Sequence, residues 1–129
     1  MTDRDRARRA RALLARTEEQ LRAAQRCLDS QLWSASAASA IRAGKSAADA
    51  IAMALDGRTV TDTEALTAAE ALEPILRGDH DGAHAVIALQ TLAHSESTVC
   101  RGPEPVGEVG ARGLVSHAQA LIDVARRVV

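Results

Sequence analysis

The chain has no phenylalanine and no tyrosine, and its 129 residues include one tryptophan. That excludes an aromatic core, and it excludes a nucleic-acid surface built on aromatic stacking of bases. Apolar residues still make up 47% of the sequence. Alanine and leucine must therefore fill the interior, a composition that favours helices. Two cysteines, Cys27 and Cys100, are too few for a disulfide framework or a cysteine zinc set. They fit a reduced, cytoplasmic protein. No apolar run approaches the roughly 20 residues of a membrane span. The first residues are charged from Asp3 onward with no apolar segment behind them, so no secretory signal is expected. A glycine-rich phosphate loop leading to a helix with Lys is absent, as is a Ser or Cys nucleophile set beside a His and an acid. No cofactor is implied.

Lysine is also scarce, one against 15 arginines, which reads as codon bias in a GC-rich genome. Charge is unevenly spread. Residues 1–26 hold eight Arg against four acids, a net +4, which leaves −5 for the rest of a chain whose total is −1. Arg4, Arg8, Arg11, Arg22 and Arg26 fall within about 60° of one another if the segment is helical. That face is read first as a solvated stripe and alternatively as a phosphate-contacting surface for nucleic acid.

The length suits one domain, residues 1–129. Residues 30–57 carry the clearest pattern. At about 100° per residue, Trp33, Ala37, Ala40, Ile41, Gly44, Ala48, Ile51 and Leu55 share one side, with Arg42, Lys45, Ser46 and Asp49 opposite. Ser30 is the expected N-cap and Gly57 the expected left-handed stop. Lys45 and Asp49, four apart, are an expected exposed ion pair. The stripe is mostly small, as suits a helix in the middle of a bundle.

Before it, a helix from about Asp3 to Leu28 has a seam in which Ala7, Leu14, Leu21 and Leu28 recur every seven residues, with Ala10, Thr17 and Ala24 between. A short connection at Asp29 and Ser30 makes the first two helices a hairpin. Beyond Gly57, Thr61–Glu64 reads as a capping box for a third helix using Leu66, Ala69, Leu72 and Leu76, kinked or ended near Leu72 or Glu73 by Pro74. A fourth helix is expected from the Asp79–Gly82 region to about Ser95, with Ala85, Val86, Leu89, Leu92 and Ala93 inward. A loop over 99–110 precedes a last helix whose inner face is Leu114, Ala118, Leu121, Ile122, Ala125 and Val128. The whole predicts an all-α, up-down bundle of four to five helices.

Two groups of residues carry candidate chemistry. If residues 80–94 were one helix, His80, His84 and His94 would fall within about 80° of each other with Ile87 and Thr91, away from the core. Two His four apart can hold a metal, with Asp79 or Asp81 adding an oxygen. No further ligand is placed to complete the set, so a solvated or interface stripe is the preferred reading. The second group is a pair of Arg-to-His spacings, Arg112 to His117 and Arg77 to His84.

The order of elements resembles the HEPN-like helical bundles common in actinobacteria. A long charged first helix is followed by a small-residue helix ending in A-D-A-I-A-M-A-L-D-G-R. A capped third helix, a shorter fourth and a last one reading L-V-S-H-A-Q-A-L-I-D-V-A-R-R then follow. The resemblance implies a homodimer. It also implies either a ribonuclease toxin paired with a nucleotidyltransferase-type antitoxin, or a binding module that has lost catalysis. In the ribonucleases an Arg is followed after four to six residues by a His, which would act as acid or base on a ribose hydroxyl while the Arg meets phosphate charge. Arg112 with His117 fits that spacing first, and Arg77 with His84 second. Both have Gly after the Arg, where the family pattern has a polar residue, often Asn. The reading is therefore a non-catalytic homodimeric binding module. The alternatives are the metal-independent ribonuclease and an electrostatic nucleic-acid binder.

Overall fold

The computed structural model describes residues 1–62 and 65–129. Five helices are present among them: α1 (Asp3–Asp29), α2 (Trp33–Asp56), α3 (Ala68–Ile75), α4 (Gly82–Arg101) and α5 (Glu108–Val128). The described residues contain no strand.

The small stripe of α2 places it at the centre. Twelve of its residues are buried, Ala43, Ala47 and Ala50 among them, so burial reaches well beyond the one face that periodicity marks. α2 packs against α1, α5, α4 and α3, whereas α1 and α4 do not touch each other. The bundle is thus a central α2–α5 pair flanked by α1 on one side and α4 on the other. Gly44 shows why small residues are needed here. A Cβ at that position would lie 2.3 Å from Leu92 Cδ1, so only glycine lets α4 come this close. Chain direction follows from contacts between helix ends. Ser34 in the first turn of α2 accepts from the Val106 amide just before α5, and Arg127 at the end of α5 meets Asp79 just before α4. α1 and α4 therefore run one way and α2 and α5 the other, an up-down arrangement with α3 as a short step between α2 and α4.

Local chemistry explains most boundaries. Thr2 and Asp5 form a reciprocal capping box at the start of α1. Of the heptad seam, Ala10, Thr17, Leu21 and Ala24 are buried, while Ala7, Leu14 and Leu28 are half-buried. Gly57 ends α2 at φ 73, the left-handed stop its sequence predicts.

Other boundaries differ from the sequence reading. Ser30 is the C-cap of α1, not the N-cap of α2. The Leu32 amide donates to the Cys27 carbonyl and the Gln31 amide to Leu28, a Schellman closure. The left-handed position falls on Gln31 at φ 61, where glycine is the usual signal. α2 then starts at Trp33 behind Leu32, which offers no side-chain cap. Leu55 is exposed, not inward. Lys45 bonds Glu96 on α4 at 2.9 Å instead of Asp49. Asp49 instead accepts from the Val60 and Thr61 amides at 2.7 and 3.0 Å and from the Thr61 hydroxyl, which pins the turn after α2.

The Thr61–Glu64 capping box lies partly outside the described residues. α3 begins at Ala68, where Thr67 accepts from the Glu70 amide, so Leu66 precedes the helix. Pro74 sits inside α3, which ends one residue after it. α4 runs six residues past Ser95, to Arg101, and buries Ala88 while leaving Ala93 exposed. The loop before α5 shortens accordingly to residues 102–107. No helix among the described residues is long and apolar enough to cross a membrane.

Candidate functional site

A concavity lies between α4 and α5. It has a volume of about 580 Å³, within the range of small-molecule sites. Two matching stripes build it. Thr91, His94, Ser95 and Thr98 follow one another at i, i+3, i+4 and i+7 along α4, and Gly110, Gly113, Leu114 and His117 do the same along α5. Residues at that spacing share one helix face, so each stripe forms one wall. Glu104, Pro105 and Val106 of the connecting loop close one end, and the Val106 amide is tied to Ser34 Oγ at 3.0 Å.

The chemistry of the walls is uneven. Thr91 and Ser95 hydroxyls donate to the carbonyls of Ile87 and Thr91, four residues back. Those donors are spent within the helix, so these side chains add little polarity to the groove. Gly110 and Gly113 contribute no side chain, and a Cβ at Gly113 would meet nothing within 4 Å. The groove thus has an apolar interior with the imidazoles of His94 and His117 and the carboxylate of Glu104 as its ionisable groups. A ligand with an apolar body and one hydrogen-bonding end matches that set. Two large exposed apolar side chains lie here, Val109 of α5 on the groove's rim and Ile87 of α4 just outside it, 87% and 58% exposed.

The residues singled out from sequence are distributed as follows. His117 lines the groove, but Arg112 lies about 140° away round α5 and is bonded to Glu108 at 2.9 Å. The two do not converge within one chain. Arg77 is engaged by both carboxylate oxygens of Glu73, at 2.7 and 3.4 Å, and His84 is exposed in the first turn of α4. The metal stripe loses its geometry, because α4 begins at Gly82 and His80 precedes it. His80 instead pairs with Asp81 at 3.1 Å. Asp79 bonds the Arg127 guanidinium through both oxygens at 2.8 and 3.0 Å, and those bonds hold its carboxyl below the usual range. Among the described residues no three His, Cys, Asp or Glu side chains gather as a metal-binding group. Arg4, Arg8, Arg11, Arg22 and Arg26 are all exposed, with Arg8 paired to Asp5 at 3.3 Å.

Comparison with protein-family models, characterised proteins and solved structures finds no significant match. The site must therefore be judged from its own geometry. Sequence reasoning placed His94 and His117 in separate hypotheses and did not join them. The joining signal is the repeated i, i+3, i+4, i+7 spacing on the two helices, which sits off the apolar stripe of α4 and borders that of α5, where Leu114 belongs to both.

Proposed function

We propose that the protein is a HEPN-like, non-catalytic homodimeric binding module of the bacterial cytoplasm, and that the α4–α5 groove is its binding site. The observation that carries this reading is the groove itself, a cavity of about 580 Å³ with an apolar interior and two histidines. Arg112, the cation a phosphate-cleaving site would aim at its substrate, is bonded to Glu108 on another face of α5. Self-association through this face would cover Ile87 and Val109, both exposed in the single chain.

The groove lends itself to a direct test. Trp33 lies in a depression that shares Pro105 and Val106 with the groove, so its fluorescence reports on occupancy. Anilinonaphthalenesulfonate, an apolar probe with one anionic group, should bind and perturb Trp33. Gly113→Leu should abolish binding, because the added side chain enters open space. Equal binding by the variant would refute the assignment. Sedimentation should give a dimer that Ile87→Glu with Val109→Glu disperses; a monomeric parent protein would contradict the homodimer.

One observation favours a second reading. His94 and His117 share the groove, and two imidazoles can serve as acid and base in RNA cleavage. That ribonuclease, with a nucleotidyltransferase-like antitoxin as partner, predicts growth arrest on expression that His117→Ala relieves. Harmless expression without an antitoxin counts against it.

A further inference from the structure

Arg16 on α1 and Arg42 on α2 stand beside a groove of about 390 Å³, completed by Glu19, Gln20, Ala23 and Ser39. Arg16, Gln20 and Ala23 are spaced i, i+4 and i+7, and Ser39 and Arg42 i and i+3, so the groove runs between two helical ridges. It stays open because Ala23 and Ser39 are small. The site is separate from those already described. Arg16 lies about 80° or more round α1 from Arg4, Arg8, Arg11, Arg22 and Arg26, and α1 does not touch α4.

Five groups here have unused hydrogen-bonding capacity. None of the ion pairs among the described residues involves Arg16, Arg42 or Glu19. Among the described residues the Ser39 hydroxyl has no hydrogen-bond partner, whereas Thr17, Thr91 and Ser95 each donate to the carbonyl four residues back. Gln20 Oε1 is the one buried side-chain oxygen or nitrogen without a partner among the described residues. A buried amide atom left unpaired is unfavourable and calls for explanation. Gln20 lines the groove, so its side-chain amide reports on what the groove holds.

We propose that this groove is an oxyanion site for a phosphate group. The guanidinium forks of Arg16 and Arg42 donate to phosphate oxygens, and the Ser39 hydroxyl adds a third donor. Glu19 leaves the groove a net charge of +1, so recognition rests on these directed bonds more than on bulk charge. The phosphate is either free or the terminal group of an RNA strand.

Calorimetry and amide spectra of the full-length protein, titrated with inorganic phosphate at constant ionic strength, test this. The expected result is saturable binding of one phosphate per chain with a shift of the Gln20 side-chain amide. Arg16→Ala and Arg42→Ala should each weaken binding about tenfold or more, with unchanged circular dichroism, and Arg112→Ala should have no effect. A second arm compares 5′-phosphorylated and 5′-hydroxyl forms of one oligoribonucleotide. Tighter binding of the phosphorylated form, lost in Arg16→Ala, assigns the RNA terminus; no difference between the two, with phosphate binding retained, assigns free phosphate. Absence of saturable phosphate binding, or binding indifferent to both Arg substitutions, overturns the proposal.

Discussion

The same substitution, glycine to alanine, should have opposite consequences at two positions of this bundle. Gly44 and Gly113 both lie inside helices, α2 and α5, so alanine brings each about 1 kcal/mol of helix propensity. At Gly113 the new methyl meets nothing within 4 Å, and Gly113→Ala should stabilise the protein by about 1 kcal/mol. At Gly44 it would lie 2.3 Å from Leu92 Cδ1 and 3.5 Å from Leu121 Cδ1. Leu92 and Leu121 are both fully buried, so neither can withdraw freely. Overpacking of this kind costs about 1–3 kcal/mol, which leaves Gly44→Ala neutral to about 2 kcal/mol destabilising. The gap between the two variants should be about 1–3 kcal/mol, read from urea midpoints at one fixed protein concentration, since self-association shifts apparent stability. Leu92→Ala removes the obstacle. In that background Gly44→Ala should stabilise, because the methyl enters the space Leu92 vacates. A Gly44→Ala protein as stable as Gly113→Ala, with no coupling to Leu92, would refute the claim that close approach of α4 to α2 requires glycine.

Three further outcomes follow from local geometry. Gln31→Gly should raise stability by roughly 0.5–1 kcal/mol, since the residue holds a left-handed φ of 61 that glycine adopts without steric cost; a lower thermal midpoint would contradict the Schellman assignment. Asp49→Ala removes three hydrogen bonds that hold Val60 and Thr61 and should cost about 2–4 kcal/mol by chemical denaturation, with a loss under about 0.5 kcal/mol counting against the pin. Hydrogen bonds from Arg126 hold the Glu18 carboxyl below its ordinary 4.5. The pair's contribution, about 1 kcal/mol or less, is therefore complete above pH 4.5 and fades as pH falls through the lowered value. Glu18→Gln should be less stable than the parent at pH 7 and converge with it in acid; a difference constant over that range would show that the pair is not its source.

Much of the fold is legible in the sequence because its strongest signals are local. The heptad seam of α1, the small stripe of α2 and Gly57 each encode a periodicity or a backbone conformation in neighbouring residues. The failures have equally specific causes. The turn after α1 places Gln31 where a left-handed residue is required, so the usual glycine marker is missing and Ser30 looks like a helix start. α4 continues through Ser97, Thr98 and Val99, residues with modest helix propensity, and Val99 packs on the core, so tertiary contact rather than propensity extends it. Asp49 and Lys45 sit at ion-pair spacing on α2, yet each finds a better partner on a distant segment. The groove was the least legible feature. His94 and His117 belong to helices whose pairing no local pattern states, and only the antiparallel packing of α4 on α5 brings them to one cavity.

The central claim is that His94 and His117 line a binding groove and do not cleave RNA. Incubation of the purified protein with end-labelled RNA across pH 5–8, the range over which unperturbed imidazole titrates, resolved on a denaturing gel, tests it most directly. The account predicts intact RNA at every pH, for the parent protein and for His94→Ala and His117→Ala alike. Cleavage by the parent protein that either substitution abolishes would contradict it.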